Sequence, residues 1–448
     1  MTQSLEELTQ ALIHAARRAG ADAADAIAIS GKSVDIDVRA GALEHAERSE
    51  STDVGLRVFV GQRQANVSAS DTSATTLERL AERAVAMAHE APQDPYAGLA
   101  DPAQLAQDWD IAALELCDPS EPPAPAALEY AAREAEAAAL SVNGVSQVQS
   151  SGASYGERAM HQAATNGFSG GLALTSHSIA CVAIAGSGTG MERDHDSDMR
   201  VFAADLRNPE AIGTLAGARC VEQLGARKPP TGAYPVLFDE RISTSVIGHL
   251  LSAANGSAVA RGASWLRGRL GEDVLPRGLS ITENPHRARI PGSAPFDGEG
   301  LPTQLRTIVE HGVLMGWTLD LATGRKLGFP STGNARGRLS SPPSPGLTNI
   351  ALTQGDQSRA ELIADMGTGL LVTSMIGSTI NPNSGDYSRG ASGFWVENGQ
   401  IAYPVNECTI AGSLPEFLKT IIPANDARTH LSYVVPSLLV EGLTLAGA

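Results

Sequence analysis

Apolar residues recur at helical spacing in several parts of the chain. The first such stripe follows Ser4 and Glu7, which form an S-x-x-E capping box at a helix start. The clearest stripe has the i, i+3, i+4, i+7, i+8, i+11 pattern of a helix that buries one face, and its members are Leu77, Leu80, Ala81, Ala84, Val85 and Ala88. Further helices are predicted at 126–140, 208–224 and 241–254.

Other segments alternate in the manner of strands or are bounded by turn residues. Strands are predicted at Ser33–Val38, Val54–Val60, Arg63–Ser68, around 144–156 and around 168–185. Two later hairpins are predicted around His311-Gly312 and Asn398-Gly399, because Asn-Gly and similar pairs adopt the positive φ angles of tight turns. The Gly-, Pro- and Ser-rich stretch 328–348 is predicted to be a long loop.

Two proline-rich stretches divide the pattern, one around Pro122 and Pro123 and one at Pro229 and Pro230. They predict an N-terminal α+β domain (1–115), a middle α+β domain (116–228) and a β-rich C-terminal domain (229–448). The fold class is therefore α+β. It comprises an N-terminal α/β region with short sheets and helices, and a C-terminal, mostly antiparallel β domain.

The formal net charge of −17 argues against nucleic-acid binding, which requires many Lys and Arg side chains near phosphates. The same charge disfavours an anionic membrane surface. The chain has no apolar run long enough to span a bilayer and no signal-peptide pattern at its start. Its four cysteines contain no CxxC pair, which fits reduced thiols. We therefore expect a cytoplasmic protein.

A short histidine motif for zinc is absent from the sequence. The closest two of the ten histidines, His161 and His177, stand 16 residues apart, so HExxH and its near variants cannot occur. His249 lies on a predicted helix, but Leu250 follows it where a catalytic Glu would stand, which favours a packed helix residue. Metal ligands dispersed along the chain remain the alternative.

Three other patterns give weaker indications of chemistry. The run from Asp194 to Asp198 resembles the start of a calcium loop, but Met199 occupies the sixth position, where such loops need Gly. The G-x-G-x-G at 186–190 has no strand–turn–helix unit around it. Cys408 and His430 could form a nucleophile–base pair only if the fold brought them together.

The densest cluster of unusual residues lies between 381 and 399. Glycine there permits close approach of another backbone, and Arg389 could hold a carboxylate through two hydrogen bonds. The alternative is a structural turn closed by an Asp386–Arg389 ion pair. The residues alone support the two interpretations, a binding site and a structural turn, equally well.

This cluster also resembles a known family. The run G-D-Y-S-R-G-A-S-G-F-W-V-E-N-G at 385–399 resembles the signature segment of the TldD/PmbA family, on its PmbA (TldE) side. Further matches occur in the same order along the chain: Gly190–Asp194, Pro295–Gly300, Arg325–Gly328, Ser331–Gly333, Met366–Leu370 and Thr409–Gly412.

The resemblance implies a role in a two-subunit metallopeptidase that degrades unstructured peptides. In that family the TldD subunit carries an HExxxH motif and a C-terminal Cys ligand. The corresponding helix here retains only His249, and no Cys occurs near the C-terminus. The resemblance thus predicts no catalytic residue, no metal and no cofactor in this chain, with zinc expected in a TldD-type partner. His249 would mark the position of the lost metal motif.

The resemblance also implies partners and a candidate site. We expect a TldD-like subunit and unfolded peptides as partners, and a homo-oligomer when the chain is alone, but neither nucleic acid nor membrane. A peptide-binding or subunit-interface role is expected for Gly385, Asp386, Tyr387, Ser388, Arg389 and Gly390. Two alternatives stay open: an independently active peptidase with dispersed metal ligands, and a regulatory protein of the gyrase-modulator type.

Overall fold

The structure, a computed structural model, describes residues 3–337 and 339–447, apart from the side chains of Ser378 and Thr379. Its first half is built on an antiparallel sheet, the N-terminal sheet. The strands are β1 (Ala23–Arg39), β2 (Ala42–Val60), β3 (Arg63–Ala69), β4 (Val145–Ala164), β5 (Ser169–Ala185) and β6 (Glu192–Arg200). They lie in the order β3-β2-β1-β4-β5-β6, so β1 and β4 meet in the middle although 105 residues separate them.

Four helices cover one face of this sheet: α1 (Leu5–Ala19), α2 (Ala74–Glu90), α3 (Pro125–Ser141) and α4 (Pro209–Glu222). Side chains alternate across a strand, so Ala24, Ala26 and Ala28 of β1 face the same way. They pack against α1 and α2, whereas Ile36 and Val38 on the same face pack against α3 and α4. The small alanines let helix and sheet approach closely, which suits a chain with few aromatic residues.

The opposite face of the sheet lies against segments of the C-terminal half. A Cβ atom built on Gly55 of β2 would stand 2.4 Å from the carbonyl oxygen of Leu339, so only glycine fits this contact. Phe296 packs against Phe168, which precedes β5, with their ring centroids 5.1 Å apart. The two halves of the molecule are therefore joined through a packed interface.

The C-terminal half contains two sheets, a two-stranded pair and the remaining helices. One sheet is formed by β8 (Ile281–Glu283), β9 (Arg306–Glu310), β10 (Val313–Leu314), β13 (Ile350–Leu352) and β18 (Tyr433–Val434), and the pair by β11 (Ala335–Arg336) and β12 (Ser344–Pro345). The other sheet is formed by β7 (Gly232–Phe238), β14 (Gly369–Ile380), β15 (Asp386–Glu397), β16 (Gln400–Ser413), β17 (Ile422–Pro423) and β19 (Leu438–Ala446). The helices are α5 (Glu240–Ala253), α6 (Gly256–Arg261), α7 (Leu321–Leu327), α8 (Arg359–Met366) and α9 (Leu414–Phe417).

The larger C-terminal sheet closes on itself. Its order is β16-β15-β14-β7-β19-β17, and an additional pairing of β16 with β19 joins five of these strands in a ring. Helix α5 packs its apolar face, which includes Val246, Ile247 and Leu250, into the core that this ring helps to form. Each such side chain contributes about 1.5–3 kcal/mol on burial, so the position of α5 is fixed by packing.

The structure confirms an α+β fold with a sheet-rich C-terminal half, and it also shows two differences from the sequence prediction. Strands β3 and β5 agree with the predicted runs, but β1, β2 and β4 are longer: β1 spans 17 residues, whereas the pattern predicted only Ser33–Val38. Two C-terminal pairings, β7 with β14 and β13 with β18, are parallel.

The domain division at 115 and 228 stays a prediction, and the N-terminal sheet takes strands from both sides of the first position. The predicted loop at 328–348 contains β11 and β12, and its residue 338 lies outside the described residues. In the part of the chain that the structure describes, every helix is too short or too polar to cross a bilayer.

Candidate functional site

The segment predicted as a site, 385–390, closes the turn after β14 and begins β15. The Gly385 amide donates to the carbonyl oxygen of Asn381 at 2.8 Å, and the Asn381 amide donates to that of Asp386 at 2.9 Å. Gly385 has a φ of +79°, and a Cβ there would stand 2.5 Å from Cδ of Pro415. A glycine is therefore required at this turn for both conformation and space.

Strand alternation places the polar residues of this segment on two faces. Tyr387, Arg389 and Ala391 share the face that points into the core, whereas Asp386 is exposed and accepts a hydrogen bond from the Ser384 hydroxyl at 2.6 Å. Residues three apart on a strand face opposite ways, so the predicted Asp386–Arg389 ion pair does not form. The alternative interpretation, a structural turn closed by this ion pair, is therefore left without the ion pair.

The inward face brings this segment to the helix that carries His249. Helix α5 starts at the capping residue Asp239, and its apolar stripe sets its rotation, so that His249 lies beside Tyr387. Their ring centroids are 5.8 Å apart in an edge-to-face arrangement, and Tyr387 makes a similar contact with Phe417 at 5.6 Å. Two candidates that are 138 residues apart in sequence thus share one site.

The charges at this site follow from burial and from Arg389. Burial and the neighbouring guanidinium lower the pKa of His249 to about 4, so its imidazole is neutral at pH 7. Burial raises the pKa of Tyr387 to about 12, against the opposing effect of the positive charge of Arg389. Nε2 of His249 and Nε of Arg389 are both buried without a hydrogen-bond partner in the described structure.

His249 lines a groove of about 640 Å³ between α5, α6 and the end of β14. The groove is lined by His249, Ser252, Ala253, Asn255, Ser257, Ala258, Arg261, Ala263, Trp265, Ser344, Pro345, Ile380 and Pro382. No carboxylate occurs among these lining residues. Their side chains offer an apolar floor, several hydrogen-bonding groups and positive charge.

The donor set around His249 does not fit a zinc ion. Catalytic zinc needs three protein ligands, and no group of three or more His, Cys, Asp or Glu side chains in the described residues could hold a metal. Leu250 is buried in the core at the position where a general base would stand. The positive charge of Arg389 also opposes a cation there. The absence of zinc from this chain itself stays a prediction.

Two other sequence candidates are accounted for by local contacts. Asp194, Asp196 and Asp198 lie on strand β6 instead of a calcium loop, and all three pair with arginines, for example Asp196 with Arg219 at 2.8 Å. Cys408 is buried, with its pKa raised to about 11 by burial, and its thiol donates to the Ala391 carbonyl at 3.1 Å.

The remaining candidates also have structural partners. His430 lies near Asp198 at 3.7 Å, so it does not serve as a base for Cys408. In the Pro295–Gly300 motif, Asp297 accepts backbone amides of Glu299, Leu301 and Ala335 at 2.9–3.0 Å. That motif therefore holds the loop facing the N-terminal sheet.

Sequence reasoning missed several groove residues, notably Asn255, Arg261, Trp265 and Ile380. Asn255 caps α6 by accepting the Ser257 amide at 2.9 Å, and the Asn-Gly-Ser sequence directly after a helix was the available signal. For Arg261 and Trp265 the sequence carried no such signal, because their proximity to His249 depends on how α6 folds back against α5.

Comparisons with known proteins give a consistent result. Family models described as PmbA/TldA metallopeptidase match as domain 1 at residues 24–88, central domain at 117–224 and C-terminal domain at 231–447. The chain is 34% identical to the metalloprotease PmbA of Escherichia coli O157:H7, across 95% of this chain and 92% of that protein.

Solved structures agree over the whole length. A protein described as a modulator of DNA gyrase from Bacteroides thetaiotaomicron superposes with a TM-score of 0.90 at 26% identity, covering 100% of both chains. TldE from Thermococcus kodakarensis has the same fold, with a TM-score of 0.85 at 18% identity, covering 98% of this chain and 100% of that one.

Proposed function

This chain belongs to the PmbA/TldD metallopeptidase family, and from that premise we propose that it is a PmbA/TldE-type, non-catalytic subunit of a two-part metallopeptidase. In this proposal a TldD-type partner supplies the zinc and the general base. The present chain completes the assembly and helps to hold an unfolded peptide in the groove beside His249.

The environment of His249 is the observation that carries the non-catalytic assignment. A zinc-bound water reaches a pKa near 7 only when the ion is held by several ligands, and a carboxylate must then accept the proton. His249 has a guanidinium beside it and buried Leu250 after it. Ala254, one turn further on, has no ligating atom. This arrangement supports a helix that keeps its place in the fold but supplies no group for hydrolysis.

Peptide binding is supported by the free edge of β14. Pairing of β14 with β7 covers Leu370–Val372 only, whereas pairing with β15 continues to Ile380. The described part of the chain places no strand on the β7 side of Ser374–Ile376, and Ile376 is 73% exposed. An extended peptide can add to such an edge through main-chain hydrogen bonds, and Ile380 at its end lines the groove.

A partner surface is supported by the first half of β2. Residues 42–51 are exposed, because β1 pairs with them on one side and β3 pairs only with 54–60. Charged side chains such as Glu44, Glu47 and Arg48 occupy this edge, which discourages indiscriminate strand pairing. A long, solvated ribbon of this kind suits a specific contact with a second subunit. We propose that this contact forms with the TldD-type partner, or with a second copy when the chain is alone.

Reconstitution with a TldD-type partner tests the proposal. Each subunit is purified separately, treated with a chelator, desalted, and mixed with the untreated other subunit before an unstructured peptide is added. We expect cleavage only by the mixture, and loss of cleavage only when the partner was the treated subunit. Cleavage by the partner alone at the full rate, or sensitivity that follows this chain, would contradict the proposal.

A further inference from the structure

Arginines at and near the groove have no carboxylate partner among the described residues. The chain carries 33 Lys and Arg against 50 Asp and Glu, so its arginines have many carboxylates available as ion-pair partners. Arg269, for example, lies 2.8 Å from Glu272. The described residues provide no ion pair for Arg261, Arg267 or Arg389. Arg261 lines the groove, and the Arg267 guanidinium lies against Gly262, between two groove residues.

Arg389 is the innermost of these cations. Its side chain points inward with Tyr387, and its Nε is buried without a partner in the described structure. A buried N–H group without a partner is costly, because it has lost its water and gained no equivalent hydrogen bond. The Tyr387 hydroxyl beside it donates to Sδ of Met375 at 3.2 Å, and no carboxylate of the described residues pairs with the guanidinium.

The rest of the groove defines what an anionic ligand must look like. Trp265, Ile380, Pro345 and Pro382 provide apolar surface, and the volume of about 640 Å³ accommodates a few residues of extended peptide. The Asn255 side-chain amide is already committed to the carbonyl oxygen of Pro345 at 2.9 Å. Among the lining residues, the Arg261 guanidinium carries the positive charge, and its planar fork matches the geometry of a carboxylate.

We infer that the groove holds its peptide through a carboxylate of that peptide, which Arg261 receives at the groove wall while the positive charge of Arg389 beside His249 adds to the attraction. Neutral His249 contributes no competing negative charge and can donate one hydrogen bond. This inference rests on the proposed peptide-handling function and adds a ligand class to it. The carboxylate has two sources, the C-terminus of the peptide and an Asp or Glu side chain.

Binding of four matched peptides to the full-length chain tests this inference and separates the two sources. A fluorescent, unstructured octapeptide is prepared in four forms. Its C-terminus is a free carboxylate or an amide, and the residue near that end is Glu or Gln. Binding is followed by fluorescence anisotropy. We expect carboxylate-bearing forms to bind at least about tenfold more tightly than the amidated Gln form, a factor worth ~1.4 kcal/mol. The advantage should shrink as ionic strength rises.

Variants assign the effect to the groove. Arg261→Gln, at an exposed position that should not affect folding, and Arg389→Gln should each remove most of the carboxylate advantage while the amidated Gln form binds as before. Arg269 is already paired with Glu272, so Arg269→Gln is the matched control and should keep the carboxylate advantage.

The outcomes separate this inference from the proposed function. The carboxylate inference alone would be overturned if all four peptides bound with equal affinity. It would also be overturned if both groove variants lost the same affinity for all four peptides. No binding of any peptide to the chain would overturn the groove's role in peptide handling as well. In that second case, reconstituted cleavage would still report on the subunit role.

Discussion

Arg241 links the helix of the candidate site to the N-terminal sheet, and its removal should be costly. Its guanidinium donates to Asp239, the capping residue of α5, at 3.1 Å and to Asp194 of β6 at 3.1 and 3.3 Å. The side chains are 15%, 2% and 10% exposed, respectively. Breaking a buried pair from one side leaves an uncompensated charge and costs about 3–5 kcal/mol.

The remaining contacts place Arg241→Met at the lower end of that range. Asp239 keeps an ion pair with Arg359, and Asp194 keeps a hydrogen bond from the Gln223 amide at 2.6 Å. We therefore expect a loss of about 3 kcal/mol in the free energy of unfolding. Arg359 is 46% exposed, so Arg359→Met should cost about 1 kcal/mol or less.

A double-mutant cycle in urea measures this network. The Arg241→Met, Arg359→Met double variant leaves Asp239 without a cation, so its loss should exceed the sum of the single losses by about 1 kcal/mol or more. Unfolding midpoints should shift while the denaturant slope stays constant. A loss below about 1 kcal/mol for Arg241→Met, or strict additivity, would refute the argument that this arginine secures α5.

Three further predictions concern the site and its surroundings. Because the folded-state pKa of His249, about 4, lies below its ordinary value of 6.5, the folded chain should lose stability as the pH falls from 6.5 towards 4; His249→Gln should flatten that part of a melting-temperature profile, and superimposable profiles would argue otherwise. Gly393→Ala should cost more than about 2 kcal/mol, because its Cβ would stand 1.9 Å from the Leu371 carbonyl oxygen, whereas Gly390→Ala, whose nearest neighbour is at 3.5 Å, should fold normally; equal expression and melting temperatures for the two variants would contradict this. The isolated chain should sediment as a dimer or larger species at micromolar concentration, and a single 46.4 kDa species would count against the proposed subunit surface.

Helices α1 to α5 could be predicted from sequence because each carries its own signals, whereas the shorter helices α6 to α9 were not predicted. The stripe beginning at Leu77 is buried at every predicted position, and the Ser4–Glu7 capping box forms as expected. The strands were harder because much of their length carries no apolar alternation. In β1 the buried positions that face the helices near its start are alanines, and the first half of β2 is exposed on both faces. Pairing between distant strands sets their length.

The candidate site could be predicted only in pieces. Sequence singled out 385–390 and His249 separately, since local patterns do not encode a contact between a helix and a strand 138 residues later. Ring closure of the larger C-terminal sheet and the rotation of α5 bring Tyr387 to His249. The choice between an ion-paired turn and a binding site required knowing that Asp386 and Arg389 face opposite ways.

The central claim is that this chain keeps the fold of its family without holding the catalytic metal. The most direct test is zinc content by mass spectrometry on tag-free protein, measured on the same preparation as a peptidase assay with an unstructured peptide. A lone imidazole beside Arg389 should not retain zinc through dialysis. The account predicts zinc far below one ion per chain and no cleavage. One zinc per chain together with chelator-sensitive cleavage would contradict it.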